Sequence, residues 1–95
     1  MRWLVQEMKD LLDDSSVGLY EFIWALRSRY PNLDASESAL AAQAALTELL
    51  DDSNIAPVWQ RWPHEDIGRT HSGPLPAGAW DDIPEDRIYL AVDRR

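Results

Sequence analysis

The chain has 95 residues, which is enough for a single domain over residues 1–95 with one hydrophobic core. Apolar residues make up 45% of it and charged residues 27%, which argues against a wholly disordered or fibrous protein. Nine Lys and Arg against 17 Asp and Glu give a net charge of -8, which repels nucleic-acid phosphates and anionic lipids, and the absence of cysteine excludes disulfides and thiolate chemistry.

An amphipathic helix is predicted at about 3–12, because apolar residues recur there at helical spacing. They are Leu4, Met8, Leu11 and Leu12. Polar residues lie between them, so the segment lacks the unbroken apolar stretch of a signal peptide or a membrane span. We therefore expect a cytoplasmic protein with no membrane partner.

Two longer helices are predicted at about 17–30 and 35–50. The first carries an apolar stripe and is stopped by Pro31, which has no backbone N–H to donate. The second follows Asp34 and Glu37, whose spacing fits a capping box, and it is rich in alanine, the residue with the highest helix propensity.

The pattern changes from helical to extended after Asn54. β-Branched and aromatic residues predict a strand at about 55–62, which Pro57 makes either an edge strand or a strand that begins after Pro57. Alternating apolar residues predict a second strand at about 87–92. The segment 63–86 between them holds four of the six prolines and three of the four glycines without any period, so a long loop is predicted there.

Three helices followed by two strands with an extended tip resemble the winged-helix variant of the helix-turn-helix. The resemblance covers about 17–92 and rests on the segments VGLYEFIWALRSRYP, ALAAQAALTELLDD, IAPVWQRW and RIYLAV. The chain is also similar to small winged-helix-type bacterial proteins of unassigned role. The resemblance implies an α+β fold, in which a three-helix winged-helix-like domain is followed by a two-stranded β-hairpin with a long loop. In DNA-binding members of the family, the third helix enters the major groove.

The predicted third helix departs from that DNA-binding pattern. It has no Lys or Arg between Ala35 and Leu50, and acidic residues lie at both of its ends. Each acid near a phosphate adds repulsion to the loss of a contact. Nucleic-acid binding then depends on whether the fold gathers the remaining arginines onto one face. These are Arg27, Arg29, Arg61, Arg69, Arg87, Arg94 and Arg95.

Paired aspartates and tryptophans are the candidate partner-binding residues. The aspartate pairs are Asp13-Asp14, Asp51-Asp52 and Asp81-Asp82. Two of the pairs follow predicted helices, where the helix dipole disfavours anions, and this favours an acidic surface for a basic protein. Capping of a following helix, or solubility, is the alternative for any single pair.

The tryptophans add possible apolar anchors to this surface. Trp59 and Trp62 are three positions apart, so a regular strand directs them to opposite faces and leaves one partly exposed. Trp80 is either an interface anchor with an acidic rim or a cover for the sheet. The predicted partner-binding residues are Asp51, Asp52, Trp59, Trp62, Trp80, Asp81 and Asp82.

The sequence contains no recognised catalytic or metal-binding motif. The possible metal ligands His64, Glu65, Asp66 and His71 lie in one segment, but their spacing matches no known metal motif. A nucleophile elbow and a glycine-rich phosphate loop are also missing from the sequence. We therefore expect no enzymatic activity, no catalytic residues, no metal and no cofactor.

The sequence thus favours a non-catalytic, acidic protein-binding module. In its most concrete form this is an immunity protein or antitoxin that occludes a basic partner. Two alternatives stay open. One is a winged-helix transcriptional regulator that binds DNA through the arginines of the hairpin and dimerises through the first helix. The other is a homodimeric structural subunit that an exposed tryptophan completes.

Overall fold

The computed structural model describes residues 2–62, 65–76, 78–81 and 88–94. In these residues it has three helices and one four-stranded antiparallel sheet, so the fold class is α+β. The helices are α1 (Arg2–Leu12), α2 (Leu19–Arg29) and α3 (Ala35–Leu50). The strands are β1 (Val17–Gly18), β2 (Ile55–Arg61), β3 (Glu65–Thr70) and β4 (Ile88–Arg94), in the order β1-β4-β2-β3 across the sheet. Within the described ranges, no helix has the length and apolarity that a membrane span requires.

The predicted arrangement of three helices followed by a two-stranded hairpin is wrong. The described sheet has four strands, and β1 lies between α1 and α2, so strands and helices are interleaved. β1 consists of Val17 and Gly18, which pair with Val92 and Ala91 of β4. Two residues are too few to show the alternation that identifies a strand, and the sequence pattern therefore assigned them to the second helix.

A strand also lies within the predicted loop 63–86. This is β3, which pairs with β2 at one edge of the sheet. Its side chains are exposed except for the half-buried Ile67, so it has no apolar face from which a strand could be predicted. Of the rest of the predicted loop, residues 63, 64, 77 and 82–86 lie outside the described part of the chain.

Local interactions explain where the second and third helices begin and end. At the start of α2, the backbone N–H of Gly18 donates to the side chain of Glu21 at 2.6 Å. At the start of α3, the side chain of Asp34 accepts from the backbone N–H of Glu37 at 2.7 Å, as the capping-box spacing predicts. α2 ends just before Pro31, which disfavours a helical conformation in the residue that precedes it.

The three helices and one face of the sheet enclose the main core. Leu90 and Val92 reach it from β4, and Trp59, the strand partner of Leu90, packs against it in a partly buried position. The main core contains Leu4, Val5, Met8, Leu12, Val17, Leu19, Phe22, Ile23, Leu26, Ala42, Ala45, Leu46, Leu49, Ile55, Leu90 and Val92. Removing this apolar surface from water is the main stabilising contribution to the fold.

The opposite face of the sheet carries a second, smaller cluster. It consists of Tyr20, Val58, Tyr89 and Ala91. Side chains alternate along a strand, so Tyr89 and Ala91 lie on the face away from Leu90 and Val92. We call this side of the sheet the outer face. Tyr20 reaches it from the first turn of α2, and this brings helical aromatic residues next to strand residues.

Candidate binding surface

Four aromatic side chains form one continuous surface on the outer face, centred on Tyr20. Its ring centroid lies 4.8 Å from that of Trp24, 5.5 Å from that of Tyr89 and 6.2 Å from that of Trp62. Tyr20 is 3% exposed, whereas Trp24 is 51% exposed and Trp62 is 38% exposed. We call Tyr20, Trp24, Trp62 and Tyr89 the outer aromatic surface. It presents two accessible indoles, each in contact with a buried phenol ring.

The main chain at Gly18 allows Tyr20 to lie this close to the sheet. A Cβ atom at Gly18 would fall 2.7 Å from Cδ1 of Tyr20, closer still to Cε1, and 3.1 Å from Cε2 of Tyr89. Carbon atoms pack favourably at about 3.5–4.0 Å, so a larger residue at Gly18 would displace the ring of Tyr20. Residue 18 therefore controls the geometry of the outer aromatic surface.

A buried side-chain amide, that of Gln60, is hydrogen-bonded to Tyr89 of this surface. The side chain of Gln60 is fully buried, and its Oε1 accepts hydrogen bonds from Oγ of Ser16 at 3.0 Å and from Oη of Tyr89 at 3.1 Å. Buried polar groups are costly unless they are hydrogen-bonded. These hydrogen bonds therefore fix the orientation of Tyr89 and of the ring that packs on it.

The two buried tyrosines are neutral over the physiological pH range. Burial raises the pKa of Tyr89 to about 12, and the nearby carboxylate of Glu21 adds to this effect. The pKa of Tyr20 is raised further by burial first, and then by Glu21 and Tyr89. Burial and negative charge both disfavour the phenolate. The two phenols at the centre of the outer aromatic surface are thus uncharged.

Two aspartate pairs that are distant in sequence meet at one end of the molecule. Arg94 forms an ion pair with Asp13 at 2.9 Å, and Arg94 is the strand partner of Ile55. The backbone N–H of Ile55 in turn donates to the carbonyl oxygen of Asp52 at 3.0 Å. The ends of α1 and α3 are therefore neighbours.

We call this region the acidic end. Its carboxylates are Asp13, Asp14, Asp51, Asp52 and Asp93. Arg94 and Lys9 are the described cations beside them, so negative charge is in excess. The ion pair of Arg94 is solvent-exposed, and such pairs contribute little to stability.

The outer face connects the acidic end with the outer aromatic surface. Tyr89 and Asp93 lie on the same side of β4, because their positions differ by an even number of residues. A strand rises about 3.3 Å per residue, so roughly 13 Å separates them along β4. A single extended segment of a partner protein can therefore contact both regions.

A cleft lies on another side of the molecule, between α2, α3 and residues 75, 76 and 78–81. Its volume is about 410 Å³. Trp80 forms one wall, and its ring meets the core residue Phe22 edge-to-face at a centroid distance of 5.6 Å. Arg27 and Asp81 also line the cleft, and both are exposed. Trp80 was predicted to be either an interface anchor or a cover for the sheet. In the structure its ring packs against Phe22 of α2 and not against the sheet.

The predicted partner-binding residues do not form one site. Asp51 and Asp52 belong to the acidic end, and Trp62 belongs to the outer aromatic surface. Trp80 and Asp81 line the cleft.

Two further predicted residues need separate mention. Trp59 packs against the main core, with its ring 5.8 Å from that of His71. It therefore faces away from Trp62, as their spacing predicts. Asp82 lies outside the described residues.

The described arginines do not cluster on α3, the helix that would enter DNA in a winged-helix protein. Arg27 and Arg29 lie in the last turn of α2, where Arg29 stacks over the ring of Trp3 at 4.6 Å. Arg94 is paired with Asp13 at the acidic end. Arg87 and Arg95, which were also candidates, lie outside the described residues.

Comparisons with known proteins do not assign a function to the chain. No family model, curated protein or solved structure matches it. In the described part of the chain, no group of three acidic or histidine side chains is placed to hold a metal ion. The winged-helix resemblance stays a prediction. The outer aromatic surface, the acidic end and the cleft are the features of the structure that bear on function.

Tyr20 and Trp24 were not predicted as binding residues from the sequence, and Arg27 was named only as a cation for nucleic-acid binding. Tyr20 and Trp24 are one helical turn apart and lie beside the apolar stripe of α2, so they share a helix face. That spacing is a signal from which an aromatic pair could have been predicted. No sequence pattern placed Arg27 in a cleft, because Leu33, Leu75 and Trp80, which line the cleft with it, lie in segments without a periodic pattern.

Proposed function

We propose that this protein is a non-catalytic, acidic protein-binding module that docks a basic polypeptide on its outer aromatic surface. The observation that carries the proposal is the pair of accessible indoles, Trp24 and Trp62, held around the buried ring of Tyr20. Tryptophan, tyrosine and arginine dominate the binding energy of protein interfaces, because large rigid rings bury much area at little cost in conformational entropy. An exposed pair on a rigid support has the properties of such an anchor.

Charge supports the choice of a basic partner. The net charge of -8 repels acidic partners and attracts cationic ones over distances of about a Debye length, roughly 10 Å at moderate ionic strength. Asp93 places one carboxylate of the acidic end on the outer face, roughly 13 Å along β4 from Tyr89. Carboxylates at the rim of an interface increase the association rate, while the buried aromatic anchor slows dissociation.

The form of this function that we favour is occlusion of a basic toxin by an immunity protein or antitoxin. Occlusion requires only a complementary surface, so it fits a protein whose recognisable features are an aromatic anchor and carboxylates. The regulator alternative is less well supported. The exposed side of α3 carries no cation, and Asp34 and Glu37 lie at the helix end that would meet DNA.

Selection from a displayed library of random peptides tests the proposal, because such a library offers basic, acidic and uncharged partners at once. The wild-type protein is the target of the selection, and the enriched peptides are afterwards measured against a Trp24→Ala/Trp62→Ala double variant. We expect the enriched peptides to combine Lys or Arg with an apolar residue and to bind at least 10-fold more weakly to the double variant.

A matched control is Leu40→Ala, which removes an exposed apolar side chain on α3, away from the outer face. Peptides selected on the wild type should bind this variant unchanged. Enrichment of acidic or uncharged peptides, or binding that is indifferent to the two tryptophans, would contradict the proposal.

A further inference from the structure

We propose that the cleft between α2, α3 and residues 75, 76 and 78–81 is a second, independent site, which binds a small organic monocarboxylate with an apolar body. Its volume of about 410 Å³ lies within the range of roughly 300–1,000 Å³ that small-molecule sites occupy. Such sites combine apolar walls with a few polar groups that fix the orientation of the ligand. The cleft has both components.

The apolar walls come from three separate parts of the chain. Ile23 contributes from α2, Leu33 from the connection to α3, and Leu75 and Trp80 from the segment opposite. The indole of Trp80 is held by its edge-to-face contact with Phe22, so this wall rests on the main core. A wall that is fixed before binding reduces the entropic cost of holding a ligand.

Arg27 determines the charge that the cleft accepts. It lines the cleft from the last turn of α2, and among the described residues it forms no ion pair. The guanidinium groups of Arg94 and Arg29 already have partners, because the first pairs with Asp13 and the second stacks on Trp3. A guanidinium beside apolar walls is complementary to a carboxylate, which it can bind through two parallel hydrogen bonds.

The remaining polar groups limit the ligand to a single negative charge. Asp81 lines the same cleft, and its carboxylate disfavours phosphates and other multiply charged anions. Ser38 and Gln43 of α3 complete the polar lining, and they offer a hydroxyl and an amide to the polar end of a ligand. A monocarboxylate attached to an aromatic or aliphatic body fits this combination.

Titration of the ¹⁵N-labelled protein with four small probes tests the proposal. The probes are phenylacetate, indole-3-acetate, the neutral analogue phenylacetamide and the cationic analogue phenethylamine. We expect both carboxylates to shift the indole N–H signal of Trp80 in a saturable manner. The amide and the amine should bind at least 10-fold more weakly than phenylacetate, because neither offers a carboxylate to Arg27.

Two variants test whether Arg27 is the residue that binds the carboxylate of the probe. Arg27→Gln should weaken phenylacetate binding at least 10-fold, while the matched variant Arg69→Gln, which removes an exposed cation on β3, should leave it unchanged. Equal binding of phenylacetate and phenylacetamide by the wild type would overturn the proposal, as would tighter binding of phenethylamine or no saturable shift with any probe. The signals of Trp24 and Trp62 report on the proposed function instead, so the two proposals can fail separately.

Discussion

Gly18 is the residue on which the outer aromatic surface depends most directly. In Gly18→Ala the new methyl group would overlap the ring of Tyr20. Overpacking of this kind costs about 1–3 kcal/mol, so we expect a loss of that size in the free energy of unfolding measured with urea. In a Tyr20→Leu background the ring is gone, and the same substitution should cost much less. An equal cost in both backgrounds would show that the close contact is not the cause.

The tryptophans Trp80 and Trp24 should differ in their contribution to stability. Trp80 is partly buried against Phe22, so Trp80→Ala should lower the free energy of unfolding by about 2–4 kcal/mol. Trp24 is half-exposed, and Trp24→Ala should cost less than about 1 kcal/mol. Chemical denaturation of both variants measures the difference. The reverse order would mean that Trp24 supports the fold and that Trp80 does not.

Tyr20 and Tyr89 should make stability depend on alkaline pH. The folded state keeps their protons above pH 10, where the unfolded chain loses them, because their pKa values are raised on folding. The contribution is therefore fully present below about pH 10 and decreases as pH rises towards 12. Urea midpoints between pH 8 and 11.5 measure this loss. A Tyr20→Phe/Tyr89→Phe variant should lose less stability over that range, and an unchanged slope would contradict the assignment.

At the level of secondary structure, the N-terminal cap of α3 offers a clear test. Asp34→Ala removes the acceptor for the backbone N–H of Glu37, so we expect a loss of about 1 kcal/mol in the free energy of unfolding. Ser36→Ala changes the exposed side chain of the second residue of α3 and serves as the control. Its effect should stay within about 0.5 kcal/mol. Equal effects of the two substitutions would exclude capping by Asp34.

The helices could be predicted from the sequence because their signals are local. Apolar periodicity, the capping spacing of Asp34 and Glu37, and the stop at Pro31 all act within a few residues. β1 and β3 could not be predicted, although only β1 has a partner strand that is distant in sequence, whereas β3 pairs with the neighbouring β2. β1 is too short to show a period, and β3 is too exposed to show an apolar face.

At the scale of the whole molecule, the candidate sites were only partly predictable. The excess of acidic residues could be counted, and the spacing of Trp59 and Trp62 indicated opposite faces of a strand. The meeting of the two aspartate pairs could not be predicted, since it depends on the pairing of Ile55 with Arg94. The cleft was also missed, because Leu33 and Leu75 lie in segments without a pattern.

The central claim is that a basic polypeptide docks on the outer aromatic surface. The five tryptophans provide a direct test, because their indole N–H signals report from different parts of the molecule. We predict that a selected basic peptide shifts the signals of Trp24 and Trp62 and leaves those of Trp3, Trp59 and Trp80 in place. Shifts at Trp80 or Trp59 alone, with Trp24 and Trp62 unchanged, would contradict the claim.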